Sequence, residues 1–375
     1  MTLRRKLLLV ALATLALPLT GWFYVRQMET LLREGQSQAL IATGSAIARS
    51  LVVTGAMDGV PPGEAWYVQR APAPLVLDGY GDDWAPLTPW AQTLGNRARL
   101  LLGADAGGLA LYLDVRNTRR TRADAEDPGA LAADHVTLEL ENAQGRRRYL
   151  VASSAPGTSM ARALDPPVPG LPDQLRAYWQ EDGSGYRVAL RLPAALVALG
   201  AGVHEARAGG ARLAVERRPL LRASPALAAE LGQLVPDGVA ARVLSPAGWL
   251  LAAGGRLDRA ALRSAQPGWF AALVYRSLLA GRVEPGQPWA REVPQLVTEA
   301  VHAAAAGTPV AAWREGETRG SVLLVASVPI ERDGRVLGVL RLEQASRSVP
   351  LLANRALLGM LATSFGVLQI GRAHV

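Results

Sequence analysis

A chain of 375 residues, half of them hydrophobic, is long enough to bury two or three cores at about 150 residues per domain. It has no cysteine, which excludes a disulfide framework and any cysteine-ligated metal site. The formal charge is +8 and Lys6 is the only lysine, but the arginines are interleaved with Asp and Glu, as a GC-rich coding sequence gives, and form no basic and aromatic stripe; the pattern of a nucleic-acid surface is absent.

Residues 1–6 carry Arg4, Arg5 and Lys6, and residues 7–25 are apolar apart from Pro18 and a few small polar residues. That length spans a bilayer, and the leading positive charge puts the N-terminus in the cytoplasm. Trp22, Phe23 and Tyr24 fall where an interfacial aromatic belt lies. The run ends in bulky aromatics instead of a small-x-small cleavage site, which favours an uncleaved transmembrane helix over a signal peptide. Residues 26–70 continue as a membrane-proximal helix and linker, with Met28, Leu32, Leu40, Ile47 and Leu51 near helical spacing.

Residues 71–220 read as strands. "LALYLDV" alternates Leu109, Leu111, Leu113 and Val115 with small or polar residues; "HVTLELE" (135–141) and "YRVALRL" (186–192) alternate in the same way. Period two over several short runs, with Gly and Pro between them, predicts an antiparallel β-sandwich. The proline-rich "DPPVPGLPD" (165–173) is a surface loop. The order "PLVLDGYGDDWAPL" (74–87), "LALYLDV", "DHVTLELE", "GYRVALRLP" resembles the family 9 carbohydrate-binding modules, with Asp78, Gly79, Asp83, Trp84, Asp134, Tyr186 and Pro193 at the matching positions. That family stacks aromatic faces on sugar rings. The resemblance makes Trp90, Tyr112, Tyr178 and Trp179 the candidate ligand-binding residues, while Trp84 and the other motif residues read as structural. Asp82 and Asp83 have the oxygen ligands a hard cation takes, but an Asx-type turn accounts for them better.

Residues 235–350 form a second unit. "ARVLSPAGWLLA" is a strand, turn and strand; "GWFAALVYRSLLAG" and "REVPQLVTEAVHAAAAG" are helical; "RDGR" (332–335) closes a tight hairpin between two apolar strands. This order resembles the PAS- or Cache-like external domains of bacterial sensors. Residues 351–369 begin a second transmembrane helix and do not complete it. The last six residues, "IGRAHV" (370–375), resemble a translated sequencing adapter in the frame ATC-GGA-AGA-GCA-CAC-GTC, so they read as non-native, with the native chain running on past Gln369.

The whole reads as a membrane-anchored mixed α/β chain: N-terminal transmembrane helix, antiparallel β-sandwich, PAS/Cache-like α+β domain and the start of a second transmembrane helix. It resembles the N-terminal sensory part of a transmembrane sensor histidine kinase, most closely the proteobacterial kinases of dedicated sortase systems. The resemblance implies an inner-membrane protein with residues 26–350 in the periplasm, a homodimer, a carbohydrate or envelope ligand, and a cognate response regulator. ATP and Mg belong to the missing kinase domain, and no cofactor or nucleic acid is expected in this part. No catalytic or metal site is apparent. There is no Gly-x-Ser-x-Gly elbow, Walker A motif or Rossmann fingerprint, "HEARA" (204–208) lacks a second zinc histidine, and His135, His204, His302 and His374 stand singly. A receptor with a cyclase or chemotaxis output, and a membrane-anchored carbohydrate-binding protein, are the alternatives.

Overall fold

The structure, a computed structural model, describes residues 3–61, 63–206, 215–258, 293–315 and 322–345. The segments 351–369 and 370–375 and the helix expected at "GWFAALVYRSLLAG" lie outside these residues. Asp58–Ala223 form one unit, and the chain before and after it forms the other.

The strands of the first unit are, in chain order, β1 Trp66–Tyr67, β2 Gln69–Arg70, β3 Gln92–Leu94, β4 Ala98–Asp105, β5 Gly108–Arg116, β6 His135–Asn142, β7 Gly145–Val151, β8 Gly157–Ala163, β9 Gln174–Glu181, β10 Gly185–Leu192, β11 Ala198–His204 and β12 Glu216–Leu221. They make one sheet in the order β1-β12-β11-β6-β7-β8-β9-β10-β5-β4-β2, with β3 added on β4. The two ends of that path, β1 and β2, are neighbours in the chain. Trp66 pairs in parallel with Leu220, and three residues later Gln69 pairs in parallel with Gly103. A five-residue segment therefore joins both edges, and the sheet is nearly closed into a barrel. Closure removes the exposed edges that an open sheet presents to other chains.

Alternation sets the two faces. Leu109, Leu111, Leu113 and Val115 of β5, Val136, Leu138 and Leu140 of β6, and Tyr186, Val188, Leu190 and Leu192 of β10 point into a single filled core. Trp66 plugs this core at the closure: it is fully buried, its indole N–H donates to the Leu199 carbonyl at 3.0 Å, and Arg218 lies 4.3 Å over its ring. The outer faces carry arginines paired across strands, such as Arg217 with Glu141 at 2.8 Å and Arg99 with Asp114 at 2.6 Å. Surface pairs of this kind contribute about 0–1 kcal/mol each, so the arginine content adds little to stability.

Two carboxylates are held more firmly. The Arg191 guanidinium, helped by the Leu75 and Gly107 amides, holds Asp105 at about 2, below its ordinary 3.8. Hydrogen bonds from Arg122, and then from Arg120 and Trp179, hold Glu181 at about 2 against 4.5. Both folded values lie below the unfolded ones, so this stability is full above about pH 5 and is lost as the pH falls towards 2. Each group contributes on the order of 2 kcal/mol. Urea unfolding followed between pH 7 and pH 2 is expected to show that loss; a free energy flat across the window would contradict it.

The second unit contains α1 Leu3–Val53, α2 Pro225–Leu234, β13 Val239–Leu244, β14 Leu250–Gly255, α3 Glu299–Ala305, β15 Val310–Glu315, β16 Val322–Arg332 and β17 Arg335–Ala345. Its sheet is antiparallel throughout, in the order β14-β13-β17-β16-β15. The β16–β17 hairpin turns on Asp333 (φ 51°) and Gly334 (φ 74°), the positive pair a two-residue type I′ turn requires. One sheet face receives α1, which buries Leu40, Ile47, Ala48 and Leu51. At Gly44 the helix comes so close that a Cβ would stand 2.8 Å from Val328 Cγ2. Arg33 lies 5.3 Å over the Trp313 ring. Ser224 caps α2 by accepting from the Leu227 amide at 3.2 Å, and Thr298 caps α3 from Val301 at 3.3 Å. α3 covers part of the opposite face, with Val301 and Ala304 against Leu244 and Val339.

The expected fold class is overturned. The described chain is mostly β, with three α-helices among the described residues, so it is not a mixed α/β protein. The β-sandwich is replaced by a nearly closed barrel: alternation puts one face inside in either architecture, and only the pairing of residues 66–70 with both edges distinguishes them. Among the described residues no helix is long and apolar enough to cross a membrane. Residues 7–25 fall within α1, a single helix that runs on to Val53 and docks on the five-stranded sheet. The membrane-anchored layout with a separate PAS/Cache-like α+β domain therefore does not describe this structure.

Candidate functional site

The site is a cleft of about 240 Å³ on the outer wall of the barrel. Sheet register builds its floor. Arg99 of β4 and Arg187 of β10 both pair with Asp114 of β5, and in the next row Leu101 and Ala189 both pair with Tyr112. Paired residues share a face, so one row is charged and the other apolar. Gly81, Asp82, Thr88 and Ala91 of the segment between β2 and β3 complete the lining.

The loop is held over the strands by an apolar cluster of Leu75, Trp84, Leu87, Leu101, Ala110, Tyr112 and Ala189. Trp84 is fully buried and stacks on Tyr112 with ring centroids 5.2 Å apart. Gly79 sits at φ +84°, and a Cβ there would stand 2.5 Å from Gln180 Cγ; at Gly81 a Cβ would meet the Tyr112 hydroxyl at 2.9 Å. Both glycines let the loop backbone approach the wall. Asp78 accepts from the Tyr80 amide at 2.8 Å, an Asx turn that sets the loop's course.

The charges of the lining balance. Asp114 accepts from Arg99 at 2.6 Å and lies 3.8 Å from Arg187, which also pairs with Asp182. Burial pushes the Tyr112 phenol up to about 12, so its hydroxyl stays protonated. The cleft therefore offers hydrogen-bond donors and acceptors on fixed side chains with no excess charge among Arg99, Arg187, Asp82 and Asp114. This suits a neutral polar ligand.

The four candidate aromatics do not share a platform. Tyr112 lines the cleft. Tyr178 is half-buried at the edge of the same apolar cluster. Trp90 ends a short 3-10 turn, half-buried, its carbonyl accepting from Gln69 at 3.4 Å. Trp179 faces the barrel core, stacked on Tyr186 at 4.3 Å and 2% exposed. Among the motif residues, Asp78 and Asp83 are exposed and Pro193 half-buried after β10. Asp134 is buried and accepts from Asn117 Nδ2 at 3.2 Å and from the Thr121 and Ala206 amides at 2.7 and 2.8 Å. The Tyr186 hydroxyl is buried without a hydrogen-bond partner.

Reading the sequence alone passed over Arg99, Asp114 and Arg187. They occupy the outward positions of predicted strands, where a charged residue looks like ordinary solvated surface. It also missed that β6 pairs with β11 so that His135 lies opposite His204, their rings 4.7 Å apart. Only the register brings these two together, and no cluster of three or more metal-ligating side chains is found among the described residues. No protein-family model matches the chain. A search of curated proteins returns no significant match.

Proposed function

We propose that the chain is the ligand-sensing part of a larger bacterial signalling protein, and that the outer cleft of the barrel is its binding site. The observation that carries this reading is the charge-balanced, hydrogen-bonding lining around Tyr112, set on a rigid wall whose interior is filled. The ligand class it favours is a neutral polyhydroxyl compound, a carbohydrate of the cell envelope. Resemblance supplies the rest of the proposal: a histidine kinase output using ATP and Mg, a homodimer, a response regulator as downstream partner, and a periplasmic location for this part at the inner membrane.

The test is calorimetric titration of the full chain with cello- and chito-oligosaccharides. Saturable binding is expected for at least one series. Asp114→Asn should weaken it about tenfold, since a hydrogen bond to a charged group is worth about 1.5–3 kcal/mol, and Tyr112→Phe should weaken it less. No heat with either series, or an affinity unchanged in both variants, would sink the reading.

A further inference from the structure

One end of the barrel is closed by polar side chains that the cleft does not involve. Val115, Val136, Trp179 and Val203 point into the core. Two residues from them, towards this end, stand Asn117, Asp134, Glu181 and Glu205, which alternation turns inward as a layer over the core. Asn117, Asp134 and Glu205 are at most 9% exposed, and the Glu181 side chain is buried too. Arg97, just before β4, pairs with Glu205, and Asn117 donates to Asp134 at 3.2 Å.

The Tyr186 ring stands beneath this layer. It is 0% exposed and stacks on Trp179 with ring centroids 4.3 Å apart. The Trp179 indole N–H donates to Glu181 at 3.1 Å, so the polar edge of the stack is turned towards the layer. Burial raises the Tyr186 pKa and the charges of Asp134 and Glu205 add to the rise, so the phenol keeps its proton. Its hydroxyl is buried without a hydrogen-bond partner. So is Glu205 Oε1, the oxygen that Arg97 leaves unused. Native structures leave few buried polar atoms unpaired, because the hydration they lose is then not replaced.

The two atoms are complementary. One has an O–H to donate and the other is a carboxylate oxygen that accepts. A hydroxyl group satisfies both, because it accepts and donates at a single atom. A bare cation would leave the Tyr186 proton unplaced, and an anion would face the lone pairs of Glu205. Charge agrees with a neutral occupant: Asp134, Glu181 and Glu205 stand with Arg97, Arg120 and Arg122. We propose that this end of the barrel is a second binding site, holding a neutral hydroxyl group that accepts from Tyr186 Oη and donates to Glu205 Oε1. Water and a small alcohol carry the same chemistry. Arg97 covers the site; its side chain is 52% exposed, and an exposed ion pair opens at little cost. The site is independent of the cleft and of the sugar reading, since Tyr186 faces the core while its neighbour Arg187 lines the outer wall.

The test is a crystal structure of the full chain, grown without alcohols and then soaked in ethylene glycol. An ordered oxygen within hydrogen-bond distance of both Tyr186 Oη and Glu205 Oε1 is expected before the soak. Elongated density after it would identify a small alcohol as the ligand; a single unchanged peak would identify water. Tyr186→Phe keeps the ring stack and should empty the site, whereas Asp114→Asn should leave it filled. The proposal fails if no oxygen stands between the two residues, or if the peak has the contacts of about 2.0–2.6 Å that mark a metal ion. It fails equally if Tyr186→Phe holds the same oxygen or if Asp114→Asn loses it.

Discussion

Trp84→Ala is expected to cost the barrel unit about 3–5 kcal/mol, the range for deleting a large buried aromatic. The side chain is 0% exposed, stacks on Tyr112, and belongs to a cluster with Leu75 and Leu87 of the loop and Leu101 and Ala189 of the wall. Its removal leaves a void that the surrounding strands cannot close, because their other face is fixed by the filled core. The loop carrying Gly81 and Asp82 then loses its anchor, so binding at the cleft should disappear together with the stability. Trp84→Phe gives the contrast. The indole N–H is buried without a partner, so Phe loses packing but no hydrogen bond and is expected to cost under about 2 kcal/mol. Urea unfolding of both variants, with oligosaccharide titration alongside, measures the difference. A loss below about 1 kcal/mol for Ala would show that the loop is not held by this stack.

Asp134→Ala is the second large effect, expected at about 4 kcal/mol. Its carboxylate accepts three hydrogen bonds from three different places: the Asn117 side chain and the amides of Thr121 and Ala206. Alanine leaves these donors facing a gap, and each unpaired buried group costs about 1–3 kcal/mol. The end of β5, the loop after it and the end of β11 are held together at this one point. Asp134→Asn keeps an acceptor oxygen and should recover about half of the loss. Equal stability of Asn and Ala in denaturant unfolding would show that the backbone holds these segments without the carboxylate.

Much of the local structure was legible in the residues. Period-two alternation located β5, β6 and β10 and assigned their inward side chains, because a half-buried strand has to alternate whatever sheet it joins. Asp333 and Gly334 announced a tight hairpin, since few residue pairs accept two positive φ angles. The motif around Asp78 and Trp84 pointed to the loop that roofs the cleft. Closure was not legible: residues 66–70 make only two short pairings, too brief to leave a pattern. The charged half of the cleft was hidden too. Arg99, Asp114 and Arg187 come from distant parts of the chain and meet only through register, as do His135 and His204. What α1 packs against was not legible either, because the apolar spacing that buries Leu40, Ile47 and Leu51 on a sheet says nothing about what they are buried against.

The way the barrel closes also bears on how such a chain is assembled. β1 and β12, the first and last strands of the unit, lie side by side in parallel, Trp66 against Leu220. The unit runs from Asp58 to Ala223 and interrupts the other one, which holds the residues on both sides. Strand neighbours are about 4.8 Å apart, so the backbone enters and leaves the barrel through nearly the same point. A module with adjoining ends can be spliced into a host fold at a single surface position without re-threading the host's sheet. In modular terms the barrel has the form of a cassette, and the hydrogen bonds that seal its wall also bring together the two ends by which it joins the rest of the chain.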